Sequence, residues 1–184
     1  MFKSTERACF DMTGQNMVHM YIGDGKGKTT AAVGLGVRAS GAGKRVLLVQ
    51  FLKGRPSAEI EPLKKLGIDI LRAKAGEKFV FQMNEAEREQ CRKSHCDCLE
   101  QVISLAQENK YDMIILDEAI DAIKLNMIDA KRLISLLEQK AAELVLTGHY
   151  FIEDIACMCD YISEIKKIRH PYDSGISARK GIEY

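Results

Sequence analysis

The chain has 184 residues, of which 46% are hydrophobic and 29% are charged, and its formal net charge is +1. This size and composition are typical of one globular domain with its own core, and the small net charge excludes bulk attraction to nucleic acid or to an anionic membrane. No stretch resembles a membrane span or a signal peptide, so we expect a cytoplasmic protein without membrane or nucleic-acid partners, whose six cysteines are reduced.

The first residues with a clear pattern follow a polar segment. Residues 1–16 lack periodicity, which predicts an N-terminal arm that is mobile until something orders it. Residues 17–22 are mostly apolar and β-prone, and they lead into alternating glycines and then a helix that begins near Lys28. This order of strand, glycine-rich loop and helix predicts a phosphate-binding loop (P-loop), in which Lys28 reaches phosphate oxygens and Thr29 ligates Mg²⁺.

The match to the P-loop pattern is imperfect. The pattern Gly-x-x-x-x-Gly-Lys-Thr requires glycine at position 22, which is Ile22, and the first glycine comes one residue late at Gly23. A glycine-rich turn that binds nothing is the alternative. The strand before the loop and the acidic strand end downstream favour phosphate binding.

A second strand is predicted at residues 45–51, followed by a loop at 52–57, a short helix at 59–66 and a third strand at 68–71. Ligands of open α/β sheets bind at the carboxyl ends of the strands. Gln50, Lys53 and Arg55 are therefore candidates for ligand contacts.

Two aromatic residues, Phe79 and Phe81, lie on one side of a predicted extended piece, where they form either buried core or a binding surface. Asn84 and Glu87 then have the spacing of a capping box at the start of a long helix over residues 85–109.

The next predicted strand, at residues 111–116, ends in two carboxylates, Asp117 and Glu118. A carboxylate at this position in nucleotide-binding proteins holds Mg²⁺ directly or through water. An acidic helix start is the alternative for this pair.

The rest of the chain continues the alternation of helices and strands. Residues 121–128 are irregular or briefly helical, Asp129 caps a helix to residue 139, and residues 143–147 form a strand. A helix at 151–158, a strand at 161–168 and a turn-rich tail follow, and we expect the tail to pack near the site or a partner subunit. The fold class predicted for residues 17–184 is one α/β domain, with a mostly parallel sheet flanked by helices.

Cys91, His95 and Cys98 share one face of the long predicted helix. A zinc or iron–sulfur site is conceivable, but the same stripe continues into apolar residues, which favours small core thiols. His149 differs from the other isolated histidines because it lies at a strand end on the ligand edge.

The glycine-rich loop resembles that of ATP:corrinoid adenosyltransferases of the CobA/BtuR type. Other stretches that match this family lie throughout residues 17–184, at Arg38, 49–54, 115–118, 147–148 and 173–184. The resemblance implies a RecA-like P-loop fold, a homodimer, and transfer of the 5′-deoxyadenosyl group of ATP to Co(I) of cobalamin or cobyrinic acid a,c-diamide, with release of triphosphate. It also implies Mg²⁺ and an electron donor such as a flavoprotein.

The resemblance assigns roles to individual residues. Lys28, Thr29 and Glu118 would be catalytic, and Thr29, Asp117 and Glu118 would hold the metal. Phe79 and Phe81 would pack on the corrinoid and exclude the lower ligand of cobalt. ATP would bind in a reversed orientation that exposes C5′ rather than the γ-phosphate to attack. The residues that would bind it are Gly23, Asp24, Gly25, Lys26, Gly27, Lys28, Thr29, Thr30 and Arg38.

The sequence departs from this family in two places: the arm before Met17 is shorter than in relatives in which it caps the corrinoid, and His149 stands where relatives often have arginine. A rival interpretation is a RecA-like ATPase coupled to a protein or nucleic acid, with Glu118 polarising water. A nucleotide-binding regulatory module without turnover is a second alternative.

Overall fold

Six short, mostly apolar segments form one parallel sheet in a computed structural model that describes residues 16–76 and 78–183. Residues 1–15 of the predicted arm lie outside the described residues. The strands are β1 Val18–Ile22, β2 Val46–Gln50, β3 Asp69–Arg72, β4 Met113–Asp117, β5 Glu143–Thr147 and β6 Tyr161–Glu164. Their order across the sheet is β3-β2-β4-β5-β1-β6.

Helices cover both faces of this sheet, as the alternating pattern predicted. They are α1 Lys28–Gly41, α2 Ile60–Lys65, α3 Glu85–Gln107, α4 Ala119–Lys124, α5 Ala130–Gln139 and α6 Glu153–Ala156, with 3-10 turns at Val80–Gln82 and Pro171–Ser174. The predicted capping box of α3 is confirmed: the Asn84 carboxamide accepts from the Glu87 amide at 2.9 Å, and the Glu87 carboxylate accepts from the Asn84 amide at 3.0 Å. None of the described helices is both long and apolar enough to cross a bilayer.

The core consists of two apolar layers on opposite faces of the sheet. One contains Ala32 of α1 and Leu63 of α2, together with Leu48 of β2, and the other contains Leu99 of α3 and Leu133 of α5. Because buried side chains of the central strands contact helices on both faces, those strands are nearly continuous apolar runs.

The strand order decides which loops meet at the site. Strand β5 lies between β1 and β4, with Tyr21 opposite Thr147 and Leu116 opposite Leu146. The carboxyl end of β5 therefore separates the loop after β1 from Asp117 at the end of β4. The expectation that the P-loop and this carboxylate meet at one edge is correct, with Thr147 between them.

Three local predictions were wrong. Helix α6 has four residues rather than eight, because the chain is helical only from Glu153 to Ala156. Strand β6 is exposed throughout and ends at Glu164, where the chain leaves the sheet and crosses the P-loop. Residues 80–82 form a 3-10 turn rather than an extended piece.

Candidate functional site

The P-loop connects β1 to α1, and its last residues line a cavity of about 190 Å³ at the carboxyl edge of the sheet. Gly27 takes φ 126°, a conformation that favours glycine, and it immediately precedes the first residue of α1. Lys28 donates from Nζ to the carbonyl oxygen of Gly25 at 2.9 Å, and its burial lowers the pKa of the amine. The N-terminus of α1 and this lysine give the cavity the features of an anion site.

Two hydroxyl groups converge on one oxygen of Asp117. Thr29 and Thr147 each donate from Oγ1 to Asp117 Oδ1 at 2.8 Å, and the carboxylate has no exposed surface. Asp117 therefore joins the start of α1 to the ends of β4 and β5. This arrangement argues against the alternative in which Asp117 only begins a helix.

The other oxygen of Asp117 faces a lysine from the loop after β2. Lys53 Nζ lies 2.5 Å from Asp117 Oδ2 and 4.0 Å from Glu59 Oε1. Burial is the largest effect and acts to lower the pKa of Lys53, but the charge and hydrogen bond of Asp117, together with the charges of Glu118 and Glu59, hold the pKa above its ordinary value. The buried carboxamide of Gln50 donates to Glu59 Oε1 at 3.1 Å and to Asp117 Oδ2 at 3.5 Å.

Glu118 is held in a left-handed backbone conformation, with φ 61° and ψ 20°. Its amide donates to Thr147 Oγ1 at 2.8 Å, which fixes the turn between β4 and α4. Burial raises the pKa of the Glu118 carboxyl to about 7. A strained, non-glycine residue with a perturbed carboxyl in a cleft is typical of a functional site.

His149 follows β5 and is paired with Asp121 of α4. Its Nδ1 lies 3.1 Å from Asp121 Oδ1, and its backbone amide donates to the same carboxylate at 3.2 Å. The hydrogen bond to Asp121 raises the pKa of the imidazole. His149 thus has a fixed orientation at the position where the sequence predicted a ligand-edge histidine.

A second, larger cavity of about 410 Å³ adjoins the first. Phe79 and Phe81 line it with parallel rings whose centroids are 5.4 Å apart, and the guanidinium carbon of Arg55 lies 5.6 Å from the centre of the Phe79 ring. The two aromatic residues are 57% and 79% exposed, so the interpretation as buried core is wrong. The two cavities share a wall composed of Glu118, Asp121, His149 and Glu183.

The segment after β6 packs against the outside of the P-loop. The Gly25 amide donates to the carbonyl oxygen of Ile165 at 2.8 Å, and the Lys167 amide donates to Asp24 Oδ1 at 2.9 Å. Further along, Ile182 and Glu183 line the first cavity, in agreement with the expectation that the tail packs near the site.

The structure brings together most of the residues predicted for the site, with three exceptions. Gly23 and Asp24 belong to the loop but face the segment after β6 rather than the cavity. Arg38 lies in the last turn of α1, about 15 Å along the helix from Lys28, so its role in ATP binding stays a prediction.

The Cys91, His95 and Cys98 stripe is buried against the core. His95 Nδ1 donates to the Cys91 carbonyl oxygen at 2.8 Å, and its Nε2 accepts from the Leu52 amide at 3.0 Å. Both ring nitrogens are therefore used in hydrogen bonds to the backbone. Among residues 16–76 and 78–183, no group of three or more His, Cys, Asp and Glu side chains is placed to hold a metal ion by itself.

The donor set beside the P-loop nevertheless suits Mg²⁺ once a nucleotide adds phosphate oxygens. Thr29, Asp117 and Glu118 offer only hydroxyl and carboxylate oxygens, which are the ligand types that this ion prefers. Gln50 Oε1 is also buried and has no hydrogen-bond donor among the described residues.

Sequence reasoning missed several participants. Asp121 and the backbone of residues 165–167 carried no recognisable motif, because their roles depend on strand order and on contacts between residues 28 to 143 positions apart along the chain. Lys53 was flagged only by its position after a strand, which could not identify Asp117 as its partner.

Comparisons with known proteins found similar chains, both by sequence and by fold. A family model described as ATP:corrinoid adenosyltransferase BtuR/CobO/CobP matches residues 14–184. A corrinoid adenosyltransferase of Escherichia coli is 29% identical over 173 residues, covering 92% of this chain and 86% of the relative. Corrinoid adenosyltransferase CobA of Salmonella typhimurium is 30% identical over 180 residues, with the same shares of 92% and 86%.

Among solved structures, flagellar accessory protein FlaH of Methanocaldococcus jannaschii has a similar fold. Its TM-score is 0.53 at 9% sequence identity, and the match covers 82% of this chain and 71% of that one. At this identity the likeness concerns the fold alone. It confirms the predicted RecA-like P-loop class.

Proposed function

This chain belongs to the family of ATP:corrinoid adenosyltransferases, whose activity is the ATP-dependent adenosylation of corrinoids, and from that premise we propose the course of the reaction in its site. The observation that carries the proposal is the wall shared by the two cavities. One cavity is lined by the P-loop and the other by stacked aromatic rings. A triphosphate in the first and a corrinoid in the second would meet at Glu118 and His149.

The proposed reaction is a single displacement at carbon. The electron pair of Co(I) forms a bond to C5′ of ATP, the bond between C5′ and its oxygen breaks, and triphosphate leaves with the electron pair of the broken C–O bond. Because the nucleophile is the substrate's own metal, the chain supplies no general base. Its task is to hold C5′ in line and to stabilise the negative charge of the leaving group.

The P-loop is suited to that second task. Lys28 and the amides at the start of α1 would bind the triphosphate, with Lys26 and Thr30 also in the lining of the cavity. For C5′ to face the second cavity, ATP must lie with its sugar rather than its terminal phosphate toward the shared wall. We propose that reversed orientation.

We also propose that Mg²⁺ accompanies the nucleotide. Thr29, Asp117 and Glu118 would hold it beside the phosphates, and the ion would neutralise part of the charge on triphosphate. Thr29 is already oriented by its hydrogen bond to Asp117, which leaves its hydroxyl lone pairs available.

The stacked pair is the proposed corrinoid surface. Phe79 and Phe81 form a contiguous stacked pair of exposed apolar rings beside a cavity, and contiguous exposed apolar surface is typical of a binding site. A flat macrocycle against these rings would leave no room for a lower ligand on cobalt. Loss of that ligand makes Co(II) easier to reduce.

Other parts of the proposal rest on the family. They are a choice between cobalamin and cobyrinic acid a,c-diamide as acceptor, a flavoprotein as electron donor, a homodimer, a cytoplasmic location, and one functional domain over residues 17–184. The rival ATPase interpretation shares the fold, with Glu118 polarising water in place of the corrinoid reaction.

To test the proposal, the protein is incubated with ATP and one of the two chemically reduced corrinoids. Each reaction is run once with Mg²⁺ and once with excess chelator. We expect the light-sensitive cobalt–carbon bond, whose formation is measured by absorbance, to form only when both ATP and Mg²⁺ are present. We also expect one of the two corrinoids to react faster than the other. Lys28→Ala should remove the reaction. ATP consumption that is independent of the corrinoid would favour the ATPase.

A further inference from the structure

Lys53 is paired with Asp117, the carboxylate that the proposed function assigns, together with Thr29, to a divalent cation. Lys53 is only 20% exposed, and its ammonium lies 2.5 Å from Asp117 Oδ2. Asp117 is fully buried. A buried carboxylate needs a cation or strong donors, because an unpaired charge in the interior is costly.

All of the acceptor capacity of Asp117 is engaged without a metal ion. Oδ1 accepts from the hydroxyl groups of Thr29 and Thr147 at 2.8 Å, while Oδ2 meets Lys53 and the amide of Gln50 at 3.5 Å. The second carboxylate near the lysine, Glu59, is also held, since it accepts from Gln50 at 3.1 Å and from the Ser57 hydroxyl at 2.5 Å. The lysine thus completes the set of donors to Asp117.

Lys53 is directed into this network by the backbone before it. Leu52 has φ 56°, and its amide donates to His95 Nε2 at 3.0 Å. His95 is fixed in turn by its bond to the carbonyl oxygen of Cys91 at 2.8 Å, within α3. The turn that carries Lys53 is therefore anchored to the core.

We propose that Lys53 is a built-in counter-ion of Asp117, which keeps divalent cations out of the site until a nucleotide brings one. An ammonium at Oδ2 repels a dication at the neighbouring Thr29 position and satisfies the carboxylate that would attract it. Phosphate oxygens of a bound nucleotide supply the negative charge that reverses this balance. Lys53 is a positioning residue in this account, and the inference rests on the proposed metal–nucleotide site.

The test measures binding of Mn²⁺ alone, by electron paramagnetic resonance, to the full chain without nucleotide. We expect Lys53→Met to bind Mn²⁺ at least tenfold more tightly than the unaltered protein. Lys53→Arg should keep the weak binding, because it retains the charge. Lys64→Met is the matched control, since Lys64 lies in an exposed pair with Glu61, and it should change nothing.

The gained binding must map to this carboxylate, so adding Asp117→Asn to Lys53→Met should abolish it. Equal Mn²⁺ affinity in Lys53→Met and the unaltered protein would overturn the proposal. If Lys53→Met does not fold, the unaltered protein alone still tests the proposal. Its affinity for Mn²⁺ should rise at least tenfold when ATP is added. Tight binding of Mn²⁺ without nucleotide would refute the counter-ion role. These measurements use no corrinoid, so their failure is separate from failure of the transfer reaction.

Discussion

The backbone amide of Gly25 donates to the carbonyl oxygen of Ile165 at 2.8 Å, so the chain after β6 is bonded directly to the P-loop. A Cβ atom on Gly25 would lie 2.7 Å from that oxygen, and one on Gly23 would lie 2.4 Å from it. Both contacts are with backbone, which cannot move aside easily. Packing therefore requires glycine at these two positions whether or not the loop holds phosphate.

We expect Gly25→Ala to lower the free energy of unfolding by about 1–3 kcal/mol, the usual cost of forcing an atom into a packed site. Gly34→Ala is the matched control, because Gly34 lies in α1 with nothing within 4 Å of the added atom. That control should be neutral or stabilising by up to about 1 kcal/mol, from helix propensity. Urea denaturation measures both, and equal stability of the two variants would contradict the packing role.

Lys28→Ala should weaken ATP binding by about 100-fold or more, since it removes a cavity-lining cation whose amine already contacts the P-loop backbone. Titration calorimetry with ATP and Mg²⁺ measures the loss. Lys64→Ala, which removes an exposed lysine outside the cavities, should bind as the unaltered protein does. Retained affinity in Lys28→Ala would count against the P-loop assignment.

Phe79→Ala and Phe81→Ala should each change the free energy of unfolding by less than about 0.5 kcal/mol, because both rings are largely exposed. If the pair excludes the lower ligand of cobalt, these variants should lose adenosylation that starts from Co(II) while keeping most of the activity with chemically produced Co(I). Phe151→Ala is the control, since Phe151 is also half exposed but lines neither cavity of the site. Equal losses from both starting states would argue against ligand exclusion.

His95 should make stability depend on pH. Burial lowers the pKa of His95 in the folded protein below the ordinary value of about 6.5 that it has in the unfolded chain. Below that value the imidazole is protonated in the unfolded state but stays neutral in the folded state. The free energy of unfolding therefore decreases as the pH decreases, by at most about 1.4 kcal/mol per pH unit. Stability from this source is greatest above about pH 7 and decreases as the pH falls below the ordinary histidine pKa of about 6.5.

His95→Gln should remove that slope, because glutamine does not titrate and its carbonyl oxygen can still accept from the Leu52 amide. His170→Gln is the control, since His170 lies at the partly exposed start of the C-terminal 3-10 turn. Chemical denaturation at several values between pH 5 and pH 7.5 gives the comparison. An unchanged slope in His95→Gln would assign the pH dependence to other groups.

Local patterns in the sequence were enough to place all six strands and the main helices. The capping box at Asn84 and the carboxylate Asp117 could be predicted because each depends on residues within a few positions along the chain. The meeting of the P-loop and Asp117 at one edge also followed, since parallel strands end at one edge of the sheet, but the hydrogen bond from Thr29 to Asp117 is seen only in the structure.

The rest depended on distant contacts that no local pattern encodes. The alternation of Phe79 and Phe81 fits a buried strand as well as an exposed stack, and only the turn at residues 80–82 decides between them. The glycines of the P-loop were assigned to ATP, but two of them are constrained by a segment some 140 residues later. Likewise, neither Lys53 nor His149 reveals its partner in the sequence.

The most direct test of the central claim identifies the phosphorus products of one turnover. ATP is mixed with the protein, Mg²⁺ and a chemically reduced corrinoid, and the products are resolved by ³¹P nuclear magnetic resonance. Attack at C5′ predicts intact triphosphate in amounts equal to the adenosylated corrinoid. ADP and orthophosphate, formed without a cobalt–carbon bond, would contradict the account.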